Sequence, residues 1–221
     1  MKCKVVIFDL DGTLINSLPD LADSANDTMI RYGFPTHTIE EYFNFAGDGQ
    51  RTFIERALPK NEKFAEDFII EMVDYYNQRC QVRSLNKTEI YDGVLEMIQK
   101  LQSLKIPLNV CSNKPHEATI NIVEKLFPKN IFDSILGAQK NLPVKPNPAM
   151  PLKLIEKYNV ETKEVAFLGD TAFDMQTAVN AKMIGVGVTW GFCSENDLIN
   201  GGADILIHKP NEIFKLIDFE K

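Results

Sequence analysis

The chain has 221 residues, of which 44% are hydrophobic and 25% charged, and this composition argues against collagen-like, disordered and membrane-spanning classes. The length suits one catalytic domain with an inserted module. The formal net charge is -7 and the Lys and Arg residues form no run, so we expect no nucleic-acid partner, because a phosphate backbone is bound by clustered basic surface.

Neither disulfides nor a membrane segment is expected. The four cysteines, Cys3, Cys80, Cys111 and Cys193, are far apart and show neither the density of a disulfide scaffold nor the paired spacing of a metal site. The first apolar stretch, residues 5–8, stops at an aspartate and is too short for a spanning helix or a signal-peptide core. We therefore expect a cytoplasmic protein with reduced thiols and no membrane partner.

The first predicted element is a buried strand over residues 5–8. Asp9 and Asp11 come directly after it, and their two-residue spacing on an extended chain directs both carboxylates to one side. Gly12 permits a tight turn, and the Thr13 hydroxyl can hydrogen-bond to an acid or to a phosphoryl oxygen. The alternative is a plain surface turn, because Asp-Gly is a common turn pair.

Residues 17–88 contain no strand-like run and are predicted to be helical throughout. One helical face carries Phe64, Phe68, Met72 and Tyr75, which indicates the core of a small helical bundle. An insertion directly after the first strand lies above the carboxyl ends of the sheet, where open α/β folds bind ligands. This segment is therefore predicted to be a lid.

The rest of the chain alternates strand and helix. Amphipathic stretches of helical period separate short apolar runs rich in Val and Ile. This alternation predicts an α/β fold with a mostly parallel, doubly wound sheet. After the first strand, the predicted strands cover residues 108–111, 134–136, 165–168, 184–188 and 205–207.

Polar residues follow the second of these strands. Ser112 and Asn113 precede Pro115, which suits the first turn of a helix over residues 116–127. A hydroxyl and an amide at a helix N-terminus can hold an anion with the help of free backbone N–H groups and the helix dipole. The alternative is an ordinary loop in which Asn or Ser caps the helix.

Two later strands are followed by charged residues. Lys145 precedes a helix that we expect Asn147 to cap, with Pro148 in its first turn. Its ammonium would offset the repulsion between carboxylates and a phosphate, although the alternative is a solvated loop lysine. Asp170 and Asp174 offer the oxygen ligands that Mg²⁺ prefers. All these groups are expected at one edge of the sheet, where a single phosphate could contact them.

These motifs resemble those of the haloacid dehalogenase superfamily of aspartyl-phosphate phosphatases. The four motifs of that superfamily are matched, in order, by residues 9–13, Ser112, Lys145 and residues 169–174. The resemblance covers essentially the whole chain. Further segments are similar to the phosphoglycolate phosphatase group with a helical cap, namely residues 47–49, 55–58, 112–115 and 189–191.

The resemblance implies a division of the chain into two parts. Residues 1–16 and 89–221 would form a Rossmann-like catalytic core, and residues 17–88 an α-helical cap of type C1 inserted into it. Asn16 stands where many relatives carry Asp, at the expected hinge into the cap, and Thr171 stands where many carry Ser. Neither difference removes a catalytic group.

The resemblance also implies a metal and a mechanism. Mg²⁺ would be held by the Asp9 and Asp170 carboxylates and by the Asp11 backbone carbonyl, and Asp174 would support it through water or an outer contact. Asp9 would attack phosphorus, and Asp11 would act as general acid and base. The phosphoryl oxygens would be held by Thr13, Ser112, Asn113 and Lys145.

The expected reaction is hydrolysis of a small phosphomonoester, with 2-phosphoglycolate as the best candidate for this small-molecule partner. Asp11 distinguishes this activity, because dehalogenases and phosphonatases of the superfamily lack an acid two positions after the nucleophile. Three alternatives stay open: a phosphoryl-transfer mutase of the β-phosphoglucomutase type, a phosphatase for a nucleoside monophosphate, pyrophosphate or sugar phosphate, and a binding module without activity. Both a monomer and a homodimer are compatible with the sequence.

Substrate selection is expected in the cap, because the core supplies only phosphate recognition. Arg51 is the candidate for binding a substrate carboxylate, and the alternative is that it is a solvated helix residue. The candidate cap residues are Gly47, Asp48, Gly49 and Arg51.

Overall fold

The computed structural model describes residues 1–47 and 49–219. The expected substrate residue Asp48 lies outside them. The described chain consists of two compact units, one formed by Met1–Ile15 together with the segment from Ile90 onward, and the other by Asn16–Glu89.

Every strand predicted from an apolar run is present, and four short strands are added to them. The described strands are β1 (Lys2–Cys3), β2 (Val5–Phe8), β3 (Ile15–Asn16), β4 (Glu89–Ile90), β5 (Leu108–Pro115), β6 (Ser134–Ala138), β7 (Val165–Gly169), β8 (Ile184–Val188), β9 (Ile205–Ile207) and β10 (Asp218–Phe219). The described helices are α1 (Leu18–Tyr32), α2 (Ile39–Phe45), α3 (Gly49–Ala57), α4 (Glu66–Arg83), α5 (Val94–Ser103), α6 (His116–Leu126), α7 (Ala149–Ile155), α8 (Ala172–Ala181), α9 (Glu195–Gly201) and α10 (Ile213–Leu216).

A parallel sheet runs through the first unit in the order β6-β5-β2-β7-β8-β9. Every neighbouring pair of strands in it is parallel, which confirms the predicted α/β fold class. All residues of β2, β7 and β8 are buried. Parallel strands that are covered on both faces have continuous apolar sequences, so these strands are recognisable without the structure.

The order of the strands reverses at β2. From this strand the chain builds β5 and β6 on one side, and β7, β8 and β9 on the other. Open α/β sheets bind ligands at the carboxyl ends of the strands beside such a reversal. A ligand site is therefore expected among the segments that follow β2, β5 and β7.

The apolar core of this unit fixes helices to the sheet. Ile7 and Phe167 pack in one buried cluster with Met150 and Leu154 of α7 and Ala178 of α8. Burying a large apolar side chain stabilises the fold by about 1.5–3 kcal/mol. The strands whose ends carry polar residues are thus held in place by packing.

The second unit is built from α1 to α4. Gly33 ends α1 in the left-handed conformation, at a φ of 77°, and Thr38 starts α2 with a capping box, both common ways of satisfying the backbone groups at helix ends. The buried face of α4 carries Ile69, Met72 and Tyr76. The helical character predicted for this segment is present in its described residues.

The apolar face predicted for α4 is corrected by the structure. Of Phe64, Phe68, Met72 and Tyr75, only Met72 is buried, and the other three are half-buried. Phe64 precedes the helix, and both Phe64 and Phe68 contact the ring of Phe34 edge to face, with centroids 5.5 and 6.3 Å apart. These rings form a partly exposed cluster. The core side of the helix carries Ile69 and Tyr76, each one residue after the predicted Phe68 and Tyr75.

Two helix boundaries differ by one residue from the predicted ones. Helix α6 ends at Leu126, and α7 begins at Ala149, so Pro148 precedes its first turn. The Asn147 side chain still caps α7, because its Oδ1 accepts a hydrogen bond from the Ala149 N–H at 2.9 Å. The local signals are therefore correct to within a residue.

No disulfide joins the four cysteines, all of which lie in the described part of the chain. Cys3 and Cys111 are buried, and burial raises their pKa to about 11 and about 12. Cys80 and Cys193 are half-buried. Among the described residues, no helix combines the length and the apolar character needed to cross a membrane.

Candidate active site

Asp9 and Asp11 lie at the carboxyl end of β2. The Asp9 N–H donates to the Leu168 carbonyl of β7 at 2.8 Å, so the sheet ladder extends as far as Asp9. Gly12 then turns the chain with a φ of 85°, and its N–H donates to the Ile15 carbonyl at 2.9 Å. The predicted turn after the strand is present, and it follows two acids that sit at the sheet edge.

Lys145 lies between two buried carboxylates. Its Nζ is 2.7 Å from Asp9 Oδ1 and 2.6 Å from Asp174 Oδ1, and its side chain is 4% exposed. Burial alone would lower the pKa of Lys145, but the charges of Asp174 and Asp9 outweigh burial and raise that pKa above its ordinary value. Lys145 is therefore a buried, permanently charged group and not a solvated loop lysine.

Asp170 follows β7 and is fully buried. Its Oδ1 accepts a hydrogen bond from the Thr13 hydroxyl at 3.0 Å, and its Oδ2 accepts one from the Phe192 N–H at 2.9 Å. A Cβ on Gly12 would lie 2.1 Å from Asp170 Oδ2, and one on Gly191 would lie 2.2 Å from Asp170 Cβ. Two missing side chains thus make room for this carboxylate.

Trp190 is a site residue that sequence reasoning did not identify. Its indole N–H donates to the Thr13 carbonyl at 3.0 Å, and thereby ties the segment after β8 to the segment after β2. The available signal was the resemblance at residues 189–191. No pattern in the sequence links positions that are 177 apart.

Three buried carboxylates meet at this sheet edge. Oxygens of Asp9, Asp170 and Asp174 lie within 4.8 Å of one another. Burial raises the pKa of Asp9 to about 7, an effect that Lys145 opposes and the Asp174 charge reinforces. Burial, together with the charges of Asp174 and Asp9, also raises the pKa of Asp170 well above its usual range. Lys145 offsets a single negative charge, so the ionised cluster carries an excess of negative charge.

This cluster fits a divalent cation with oxygen ligands. Mg²⁺ prefers carboxylate oxygens, and its two positive charges would balance the excess. Asp9 Oδ1 lies 2.7 Å from Lys145 Nζ, yet it is buried and accepts no hydrogen bond of regular geometry from the described residues. Burying a carboxylate oxygen with no regular hydrogen bond besides this ammonium contact is costly, and a metal ion would supply a further partner.

Asp174 is both a helix cap and a member of the cluster. Its Oδ2 accepts hydrogen bonds from the Thr171 N–H at 3.0 Å and from the Thr171 hydroxyl at 2.6 Å, which forms the capping box of α8. Its Oδ1 contacts Lys145. This position at the start of a helix is compatible with the supporting role for the metal that the resemblance implies for Asp174.

Ser112 and Asn113 do not lie at a helix N-terminus, which corrects the prediction, because β5 continues to Pro115 and α6 begins only after it. Ser112 is buried, and its Oγ accepts a hydrogen bond from the Lys114 N–H at 3.2 Å. The Asn113 side chain donates to the Lys145 carbonyl at 3.0 Å and accepts from the Lys145 N–H at 2.9 Å. Asn113 therefore positions Lys145, and binding of phosphate by Asn113 and Ser112 stays a prediction.

Lys114 contacts the second acid of the site. Its Nζ lies 2.8 Å from Asp11 Oδ1, and the two side chains are 14% and 19% exposed. The sequence marked Lys114 only as part of the run at residues 112–115. The extension of β5 beyond its apolar part brings this side chain to Asp11.

Gly47, Gly49 and Arg51, the described candidates for substrate selection, belong to the second unit. Arg51 donates from Nε to Glu55 at 2.8 Å, and its two other nitrogens pair with the Glu66 carboxylate. This pairing on an exposed helix surface favours the alternative of a surface residue for Arg51. Gly47 and Gly49 have φ angles of 104° and 87°.

Comparison with known proteins identifies the family. The sequence profile of the haloacid dehalogenase-like hydrolases matches residues 6–188. The chain is 30% identical over 217 residues to a phosphoglycolate phosphatase of Chromobacterium violaceum, covering 97% of this chain and 96% of the relative. It is 31% identical over 219 residues to a phosphoglycolate phosphatase of Psychrobacter arcticus, covering 97% and 92%.

The fold has a close match among solved structures. A crystal structure from Lactobacillus delbrueckii subsp. bulgaricus has a TM-score of 0.88 to this chain, with 28% identity and 98% of each chain covered. The match spans both units of the chain. On the strength of the sequence profile and these relatives, the protein belongs to the haloacid dehalogenase-like hydrolase family.

Proposed function

We propose that this protein is a Mg²⁺-dependent phosphatase that hydrolyses a small phosphomonoester through a phosphoaspartate intermediate on Asp9. The observation that carries the proposal is the placement of Asp9 against Lys145, with Asp170 and Asp174 within 4.8 Å. A nucleophilic carboxylate, a buried cation and an oxygen-rich cluster at the carboxyl ends of parallel strands suit phosphoryl transfer. The phosphatase names of the two relatives support it.

In the first step, Asp9 attacks the substrate. A bond forms between an Asp9 carboxylate oxygen and phosphorus while the bond from phosphorus to the ester oxygen breaks. Asp11 gives a proton to the departing oxygen. Because Lys114 contacts Asp11 Oδ1, Oδ2 is the atom that would carry this proton. Groups that would hold the phosphoryl oxygens are Thr13, Ser112, Asn113 and Lys145.

In the second step, water cleaves the intermediate. Asp11, now deprotonated, takes a proton from a water molecule whose oxygen bonds to phosphorus, and the bond between phosphorus and Asp9 breaks. Asp9 returns as a carboxylate and inorganic phosphate leaves. The same acid thus serves as proton donor and then as base.

The carboxylates of Asp9 and Asp170 and the Asp11 backbone carbonyl would hold Mg²⁺, and Asp174 would support it. When bound, the ion neutralises charge so that an anionic nucleophile can approach a phosphate dianion. Lys145 contributes a second, fixed positive charge beside Asp9. Asp174 keeps that ammonium in place from its other side.

The substrate we propose is 2-phosphoglycolate. Two relatives that match this chain over nearly their full length are named phosphoglycolate phosphatases, which supports this choice. Residues 17–88 would act as a helical cap that selects the substrate, and residues 1–16 and 89–221 as the catalytic core. The compact unit Asn16–Glu89 supports this division. A cytoplasmic location, and a monomer or homodimer, stay predictions.

The test is phosphate release from a panel of small esters by the wild-type protein and by Asp9→Asn. We expect release from 2-phosphoglycolate that requires Mg²⁺ and ceases in Asp9→Asn, because an amide of nearly the same shape is a poor nucleophile. Asp67→Asn, an exposed position in α4, is the matched control and should retain activity. Unchanged release by Asp9→Asn would refute the mechanism, and isomerised hexose phosphate without free phosphate would indicate a mutase.

A further inference from the structure

The contact between Lys114 and Asp11 places a cation on the leaving-group side of the site. Lys114 Nζ is 2.8 Å from Asp11 Oδ1, and Asp11 is the residue that would protonate the departing oxygen. Lys145, by contrast, contacts Asp9 and Asp174, on the phosphoryl side. We propose that Lys114 determines specificity by binding a carboxylate carried on the alcohol part of the substrate. This inference rests on the proposed function and deepens it.

The backbone of Lys114 is held from several sides. Its N–H donates to Ser112 Oγ at 3.2 Å, and its carbonyl accepts a hydrogen bond from the Thr119 hydroxyl at 3.2 Å. A Cβ on Gly137 would lie 2.6 Å from the Lys114 carbonyl oxygen, so this glycine allows the carbonyl to approach. These contacts position the backbone from which the ammonium extends, which suits a group that recognises a fixed position.

The chemistry of the leaving group brings its carboxylate to this place. In a phosphate ester of a 2-hydroxy acid, the carboxylate carbon is bonded to the carbon that bears the ester oxygen. Its oxygens then lie roughly 3 Å from that ester oxygen, by ordinary bond lengths. A proton donor that reaches the ester oxygen must therefore stand beside a second negative charge. A cation in contact with Asp11 offsets the negative charge that the phosphate and the carboxylate together bring to this place, and it attracts the substrate carboxylate.

Two other cations were candidates for the same role. Lys145 is 4% exposed and pairs with two acids of the phosphoryl side. Arg51, the sequence-based candidate for a substrate carboxylate, pairs with Glu55 and Glu66 within its own unit. Lys114 is more exposed than Lys145, at 14% against 4% of the side chain, and it contacts the acid of the leaving-group side. These contacts favour Lys114 of the core over Arg51 of the cap for binding the substrate carboxylate.

The test compares 2-phosphoglycolate with its amide, in which an uncharged –CONH₂ replaces the carboxylate at nearly the same shape. We expect the wild-type protein to prefer the acid, and we expect the ratio of kcat/KM for acid over amide to fall roughly tenfold or more in Lys114→Gln, as for loss of a hydrogen bond to a charged group. The fall should arise mainly from KM for the acid. Lys114→Arg retains the charge and should keep the ratio within about threefold.

Lys125→Gln, the same change at an exposed position of α6, is the matched control and should leave the ratio unchanged. If Lys114→Gln slows both esters by the same factor, Lys114 acts only through Asp11 and the inference is overturned. A wild-type protein that hydrolyses both esters without preferring the acid also overturns it, while leaving the phosphatase assignment intact. Failure to release phosphate from these esters and from p-nitrophenyl phosphate would instead count against the proposed function itself.

Discussion

Lys145 and Asp9 form a buried ion pair, with Nζ and Oδ1 2.7 Å apart and side chains that are 4% and 9% exposed. A charge that is removed from water in this way is stable only when an opposite charge is paired with it. The same ammonium also contacts Asp174. The geometry of the nucleophile therefore depends on one lysine.

Replacing Lys145 with Met should destabilise the protein strongly. The change leaves buried carboxylates without their cation, and breaking a buried pair in this way costs about 3–5 kcal/mol. The measurement is the free energy of unfolding in urea without added metal. Lys125→Met, at an exposed position, should change it by less than about 0.5 kcal/mol. A loss below about 1 kcal/mol for Lys145→Met would contradict the described pairing.

Mg²⁺ should raise the melting temperature of the wild-type protein. Burial raises the pKa of Asp9 to about 7. Above that pH the ionised Asp9 adds to a cluster of three carboxylates in which Lys145 supplies one positive charge, and the excess negative charge is destabilising until a metal ion balances it. We expect Asp9→Asn to melt higher than the wild type in EDTA and to show a smaller shift with Mg²⁺. Thermal unfolding of both proteins with EDTA and with Mg²⁺ at pH 8 measures this. Equal Mg²⁺ shifts in the two proteins would exclude Asp9 as a ligand.

Comparing Gly12→Ala with Gly33→Ala distinguishes the effect of backbone strain from the effect of a steric clash. Both glycines have positive φ, 85° and 77°, but a Cβ on Gly12 would meet the Asp170 carboxylate at 2.1 Å whereas one on Gly33 would meet nothing within 4 Å. Each variant should lose stability of about 1 kcal/mol from the left-handed backbone. Only Gly12→Ala should also lose Mg²⁺ binding, measured by calorimetry. Equal Mg²⁺ affinity in the two variants would show that Gly12 does not protect the position of Asp170.

Asp27 should stabilise the helical unit in a pH-dependent way. Its Oδ1 and Oδ2 accept from Arg83 at 2.7 Å, and Oδ2 also accepts from Arg79 at 2.8 Å. The hydrogen bonds from Arg83, followed by those from Arg79, hold the pKa of Asp27 below its ordinary value of 3.8 despite some burial. The stabilisation is therefore complete above that ordinary value and is lost as the pH falls through the lowered folded pKa.

We expect Asp27→Asn to lower the free energy of unfolding by about 1 kcal/mol at pH 7, since the pair is partly exposed. The difference from the wild type should narrow at pH 3. Urea unfolding at both pH values tests this, with Asp67→Asn as the exposed control. A difference of the same size at pH 3 would show that Asp27 acts through packing and not through its charge.

The parallel sheet can be predicted from the sequence because each buried strand is marked by its own run of apolar residues. Residues 5–8 and 165–168 are buried on both faces, so their sequences are apolar without interruption. The acids that follow them must then meet at one sheet edge, whatever the details of the loops. Asp9 and Asp170 do lie together in the structure, with oxygens within 4.8 Å of one another.

Contacts that depend on where a strand or helix ends cannot be predicted from local sequence patterns. The Lys114 contact to Asp11 joins positions 103 apart, and it depends on β5 continuing through polar residues that signal a loop. Helix α4 has apolar residues on several faces, so its periodicity does not decide between Tyr75 and Tyr76 for the core. Packing against α1 and α3 decides it, and that information is not local.

The proposed mechanism depends on transfer of the phosphoryl group to Asp9. The most direct measurement is to quench a single turnover with acid, reduce the acyl phosphate with borohydride and locate the modified residue by mass spectrometry. We expect reduction of Asp9 to homoserine in the wild-type protein. Modification of a different residue, or none in a turnover that releases phosphate, would contradict it.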